Sequence, residues 1–206
     1  MKVTRLVLAS SSPYRRQLLE KAGILVSCVQ PLADESEATA TRPLDLARAR
    51  SELKGLSLPL SEIDQLAISA DQVLEFADQA YGKVARPEEA CEVLRRLSGQ
   101  VHELHSAYSL MHYPKNAPPQ LILSRVVTAR MHMRHLSAAE IAAYVATDEW
   151  QGCAGCYQYE NRGVQLFGTI EGELSTIVGL PIPQLLNDLR TLGINPLLGS
   201  GPWNID

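Results

Sequence analysis

The sequence predicts an α/β protein with a mixed central sheet flanked by helices. Three observations predict it. Short apolar runs rich in Leu, Val and Ile alternate with segments whose apolar residues recur at three- and four-residue spacing. The alternation runs from end to end with no internal repeat and no low-complexity tract. The 206 residues are 46% hydrophobic, enough for one large core or two small lobes.

TRLVLAS, residues 4–10, is an apolar strand that ends in serines. A helix follows: Ser12 is its N-cap, Pro13 its first residue, Leu18, Leu19 and Ala22 its apolar face, and Gly23 its stop. Pro43 to Leu56 reads as a second helix, with Leu44, Ala47 and Leu53 pointing inward. QLAISADQVLEF, residues 65–76, is a strand interrupted by the acid Asp71. RPEEACEVLRRLSGQ, residues 86–100, is a third helix with Ala90, Val93, Leu94 and Leu97 apolar and Gly99 ending it. Residues 101–112 and 121–136 are strands parted by the turn-forming PKNAPP. Ser137 and Glu140 stand in capping-box spacing and open a fourth helix. The glycine-rich stretch from Gly152 to Gly179 holds a strand at VQLFGTI, residues 164–170, and PIPQLLNDLRTLGI, residues 181–194, is the final helix. The tail from Asn195 is peripheral. No linker cuts the chain, so residues 1–206 form one domain, with about 84–140 as a candidate second lobe.

Composition excludes several functions. A net charge of -4 draws the chain to no nucleic-acid polymer, so any phosphate recognition is local. No apolar run reaches the roughly 18 residues of a membrane helix, and MKVTRLVLASSS has neither the h-region nor the cleavage site of a secretory signal; the expected location is the cytoplasm. The four cysteines do not form zinc-ribbon pairs, and the lone CAGC at 153–156 reads as packing. The pairs His102/His105 and His132/His135 lie in strand-like segments, where residues three apart face opposite sides and share no metal.

Two features carry chemistry. SSSPYRR, residues 10–16, puts hydroxyls, unpaired N–H groups and the positive end of a helix dipole at one spot, an anion site. Arg15 and Arg16 add guanidinium forks, unless both are solvated on the outer helix face. The glycine spacing and Lys-Ser/Thr ending of a P-loop are absent. Asp71, set between LAIS and VLEF, is a partly buried carboxylate that needs a cation, a metal or a substrate proton. Lys54 and Lys83 are its candidate counter-charges, and DESE, residues 34–37, supplies loop carboxylates suited to a hard cation.

Together these residues resemble the Maf family of nucleoside triphosphate pyrophosphatases. LASSSPYRRQLLEKAGI is similar to the family's L-A-S-x-S-P-x-R-x-x-L-L opening. DE at 34–35, Lys54, SADQV and GKVARPEEACEVLRRLSGQVHE follow in the family's order, as do AGCYQYENRG and TIVGLPIPQLL. The resemblance implies an elongated, two-lobed fold related to the inosine-triphosphate pyrophosphatases, with the active cleft between the lobes. It implies cleavage of the α–β anhydride of a nucleotide with a divalent cation (Mg²⁺, Mn²⁺ or Co²⁺), a house-cleaning reaction on non-standard nucleotides, and a homodimer. In these roles Asp71 is the proton acceptor, Ser10, Ser12, Arg15, Lys54 and Lys83 hold phosphates, and Glu35 with Asp71 holds the metal. Where the family has G-K-P, this chain has Val84 after Lys83.

Three positions resemble the branch that cleaves 7-methyl-GTP, as does the terminal NPLLG: Tyr14 after the S-P pair, Gln72 after the acid, and Glu160 beyond A-G-x-[YF]. Tyr14 suits a cation–π stack on a methylated, positively charged guanine, and Glu160 suits its N1 and N2 donors. The alternatives are a dTTP or UTP pyrophosphatase and a nucleotide-sensing regulator of cell division without turnover; a sensor has no use for a general base.

Overall fold

In the computed structural model, which describes residues 2–199 and 203–204, the expected mixed sheet is present with helices on both faces. In chain order the elements are β1 (Lys2–Val3), β2 (Arg5–Ala9), α1 (Pro13–Lys21), β3 (Ser27–Val29), α2 (Pro43–Leu56), β4 (Gln65–Phe76) and β5 (Gln79–Tyr81). There follow α3 (Pro87–Leu97), β6 (Val101–Tyr113), β7 (Gln120–Met133), α4 (Ala138–Val145), β8 (Phe167–Glu171), α5 (Leu174–Val178), α6 (Ile182–Thr191) and β9 (Trp203–Asn204). The main sheet has the order β3-β2-β4-β6-β7-β8, with β5 folded back on β4. β2 runs parallel to β3 and β4; the remaining pairs are antiparallel.

Strand length decides where the sheet opens. β2 is 5 residues long and β4 is 12. Their pairing ends at Ala9↔Ser69, so β4 continues past its neighbour and Asp71 stands two residues beyond the last pair. The opening lies off the carboxyl end of a parallel strand, where α/β sheets receive ligands.

Long strands join two apolar cores. One packs Leu19 of α1 and Leu185 and Leu189 of α6 against Leu8, Ile68 and Leu110. The other packs Leu94 and Leu97 of α3 and Ile141 of α4 against Leu74, Leu104 and Met131, and also takes in Trp150, Tyr157 and Ile177. Truncating a fully buried leucine such as Leu94 to alanine costs about 2–5 kcal/mol. Asp188 ties α6 to the sheet: Arg125 donates to it from Nε at 2.8 Å and Nη2 at 2.9 Å, and Tyr108 donates its hydroxyl.

Several local expectations need correction. The inward face of α2 is Pro43, Ala47, Ser51, Lys54 and Gly55; Leu44 and Leu53 are only half-buried. The helix lies too close to the sheet for large side chains: a Cβ on Gly55 would come 2.6 Å from Ser69 Oγ. Residues 164–166 belong to a 3₁₀ turn, Arg162–Leu166, and the strand begins at Phe167. DESE is not open loop; Glu35–Glu37 form a 3₁₀ turn whose first N–H groups are capped by Asp34. The tail is not wholly peripheral, since β9 pairs with β1; residues 200–202 and 205–206 lie outside the described residues.

Candidate active site

A cleft of about 620 Å³ lies where the sheet opens. Ten of the residues singled out from the sequence line it: Ser10, Ser12, Tyr14, Arg15, Glu35, Lys54, Asp71, Gln72, Lys83 and Glu160. They come from the turn between β2 and α1 and the start of α1, the Glu35–Glu37 turn, α2, the stretch of β4 beyond its pairing with β2, the segment after β5, and the segment before the Arg162–Leu166 turn.

Asp71 and Gln72 are neighbours on a strand and point to opposite faces of the sheet. Asp71 faces α2 and is 5% exposed; Lys54 Nζ donates to its Oδ1 at 2.6 Å. The same ammonium lies 2.8 Å from Glu35 Oε1, so one buried cation joins two carboxylates. Asp71 Oδ2 is buried without a hydrogen-bond partner among the described residues. Burial would raise the Glu35 carboxyl, but Lys54, Lys83 and Arg50 outweigh it and hold that carboxyl below its ordinary range.

Gln72 faces the other side. Its Nε2 lies 2.8 Å from Ser106 Oγ, 3.0 Å from Thr176 O and 2.9 Å from Ile177 O, donating toward all three. Its amide nitrogen is therefore committed to the protein, and it anchors α5 to β4.

α1 begins as the sequence predicts. Ser12 caps it, accepting from the Arg15 N–H at 3.5 Å, with Pro13 as its first residue. Ser10 Oγ accepts from Ser12 N at 3.2 Å and from Arg15 Nη1 at 3.3 Å. Arg15 also donates from Nε to Gly179 O at 2.9 Å, which turns its guanidinium into the cleft. Gly179 ends α5 with φ of 113°, a conformation that favours glycine, and so presents this carbonyl. Arg16 does not join the site; it lies on the outer face, paired with Glu20 at 2.7 Å.

Tyr14 and Glu160 line the cleft with Gln158 and Cys153. Burial first, then the charges of Cys153 and Glu160, raise the Tyr14 hydroxyl, which stays a donor. Loss of water, then Glu149, raises the Glu160 carboxyl. Lys83 stands exposed at the rim after the tight β4–β5 turn, whose central residues Ala77 and Asp78 have φ of 51° and 60°. Val84, in place of the resemblance's proline, packs against the α3–α4 core.

Sequence reasoning missed Arg50 and Gln158. Arg50 had a readable signal: it precedes Lys54 by four residues, one turn on the same helix face. Cys153 was read as packing and instead lines the cleft; Cys156 is buried. His102 and His105 do point apart, the first to Tyr157 and the second to Glu75 and Thr128.

The fold and cleft define an α/β protein with a polar cleft, lined by Arg15, Arg50, Lys54 and Lys83, at the opening of a mixed sheet. Residues 5–192 match the Maf-like protein family, and the chain belongs to it. A 7-methyl-GTP pyrophosphatase of Rhizobium meliloti (strain 1021) is 37% identical over 196 residues, covering 91% of this chain and 96% of its own. A nucleoside triphosphate pyrophosphatase of Rhodopseudomonas palustris (strain BisB18) is 39% identical over 191 residues, covering 90% and 92%. A solved HAM1 protein from Coxiella burnetii superimposes on 64% of this chain and 73% of its own with a TM-score of 0.40 at 18% identity, too distant to bear on the assignment.

Proposed function

We propose that this chain hydrolyses the α–β anhydride of a nucleoside triphosphate, with 7-methyl-GTP as its preferred substrate. The observation that carries the reading is the buried Oδ2 of Asp71 in the cleft wall, without a hydrogen-bond partner among the described residues and oriented by the Lys54 contact to its other oxygen. A carboxylate oxygen so placed accepts the proton of an attacking water. The water oxygen bonds to the α-phosphorus, the bridging oxygen leaves with pyrophosphate, and the nucleoside monophosphate remains. General-base help of this kind is worth roughly 10²–10⁴-fold.

Ser10, Ser12 and Arg15, with the first N–H groups of α1, hold the phosphate chain at the open end of β2, and Lys54 and Lys83 hold it from the α2 side. The donor set fits a divalent cation. Asp71 Oδ2 and the Glu35 carboxylate are hard oxygen ligands, and Mg²⁺ is commonly bound by one or two carboxylates with substrate phosphates and water completing its shell. No third His, Cys, Asp or Glu joins them among the described residues. The cation would supply charge neutralisation at the phosphoryl oxygens.

At the other end Tyr14 stacks on the base and Glu160 accepts from N1 and N2 of the methylated guanine. Gln72 contributes by fixing α5 and the Gly179 carbonyl that aims Arg15. The chain acts in the cytoplasm, as a homodimer. Pyrophosphate release from 7-methyl-GTP with Mg²⁺ or Mn²⁺, run beside Asp71→Asn, tests the reading. Turnover that disappears in the variant while 7-methyl-GTP still binds supports it. Binding without turnover in the unaltered chain would favour the sensor.

A further inference from the structure

Arg50 and Lys54 lie one turn apart on α2, and both line the cleft. Their situations differ. Lys54 is occupied by two carboxylates, Asp71 and Glu35. Arg50 is half-buried, and its Nε is buried without a hydrogen-bond partner among the described residues. A guanidinium cannot shed its charge, and a buried N–H left unbonded costs stability that an arriving anion would offset. Its field is felt at Glu35, where it joins Lys54 and Lys83 in holding that carboxyl down. Arg50 therefore lies with Lys54 on the α2 side of the cleft, beside Glu35.

We propose that Arg50 is the pyrophosphate-reading residue of the site: its guanidinium holds the β- and γ-phosphoryl oxygens before cleavage and the pyrophosphate after it. This rests on the pyrophosphatase reading above. The planar fork matches two phosphoryl oxygens at once, which an ammonium does not. The contact is made only by the part of the substrate beyond the scissile bond. Arg50 thus selects triphosphates over monophosphates and is a handle for product inhibition by pyrophosphate.

Calorimetric binding of inorganic pyrophosphate, orthophosphate and 7-methyl-GMP to the full chain, at constant Mg²⁺, tests this with Arg50→Gln and Arg50→Lys. Arg50→Gln is expected to weaken pyrophosphate at least tenfold and to leave 7-methyl-GMP within about twofold. Arg50→Lys restores part of the loss, because it returns the charge without the fork. Unchanged pyrophosphate affinity in Arg50→Gln, in a chain that still turns over 7-methyl-GTP, overturns the role of Arg50 and leaves the enzyme reading standing. Equal loss of both ligands also overturns it, since Arg50 would then only shape the cleft. An unaltered chain that binds no pyrophosphate and hydrolyses no triphosphate overturns the enzyme reading and this proposal together. Thermal unfolding of both variants shows that the compared proteins are folded.

Discussion

Lys54 Nζ donates to Asp71 Oδ1 at 2.6 Å, and the other oxygen of that carboxylate is buried with no hydrogen-bond partner among the described residues. The two residues come from different elements, α2 and β4, and meet because β4 outruns β2 while α2 presents a small-residue face to the sheet. The contact fixes the orientation of the Asp71 carboxylate.

Removing the lysine should therefore show in stability first. Lys54→Met leaves Asp71 buried without its cation, and losing one partner of a buried pair costs about 3–5 kcal/mol. Urea unfolding of the variant and the unaltered chain at pH 7.5 checks this; a variant as stable as the unaltered chain would contradict it.

Gln72 should behave as an anchor. Gln72→Ala strands the Ile177 carbonyl and removes the amide contacts to the Thr176 carbonyl and the Ser106 hydroxyl, which keep each other as partners; each net hydrogen bond is worth about 0.5–1.5 kcal/mol. A stability loss of 1 kcal/mol lowers Tm by about 2–4 °C in a chain of this size. The variant should melt several degrees lower and lose activity through a misplaced Arg15, with the order of preferred nucleotides unchanged. A changed order at unchanged Tm would mean that Gln72 reads the base.

Much of this was legible in the sequence. The α2 boundaries, the α3 face of Ala90, Val93, Leu94 and Leu97, and the Ser137–Glu140 capping box all follow from local rules, and the structure shows each of them. Asp71 announced itself as an acid in an apolar run. What local rules could not carry was direction across the fold. Leu44 and Leu53 read as inward by hydrophobicity, but the close approach at Gly55 gives that face to small residues. Arg15 and Arg16 are indistinguishable as letters; one is drawn inward by Gly179, 164 positions away, and the other pairs with Glu20 on its own helix. Gln72 carries no sequence mark of its ties to α5, which depend on a long-range pairing.

The base end of the cleft predicts a pH-dependent selectivity. Glu160 must be ionised to accept from guanine donors, and its carboxyl is raised above the ordinary value near 4.3. Preference for 7-methyl-GTP over dTTP should thus decline, as pH falls, earlier than protonation of an ordinary glutamate would cause. Glu160→Gln should lower the ratio of kcat/KM values at neutral pH by roughly 10-fold or more. A ratio independent of both pH and this substitution would remove Glu160 from base recognition.

His102 sets a separate acid limit on the fold. It is 2% exposed, bonded to Tyr157 Oη at 2.8 Å, and burial, with His132 adding, lowers its pKa to about 4. The unfolded chain titrates the same ring near 6.5. Its contribution is therefore complete above pH 6.5 and is lost as pH falls toward 4, by on the order of 3 kcal/mol in all. His102→Gln keeps a partner for Tyr157 and removes the titration. Denaturation curves of the two proteins between pH 7 and pH 4.5 should converge as pH drops; parallel curves would refute the assignment.

The central claim concerns which nucleotide this site cleaves, and competition among nucleotides tests it most directly. Pyrophosphate release is followed with 7-methyl-GTP, GTP, dTTP and UTP, each with Mg²⁺ and with Mn²⁺, in the unaltered chain and in Asp71→Asn. The expected result is a kcat/KM for 7-methyl-GTP well above the other three, and no release in the variant. Preference for dTTP or UTP would contradict the roles of Tyr14 and Glu160, and undiminished release by Asp71→Asn would contradict the mechanism itself.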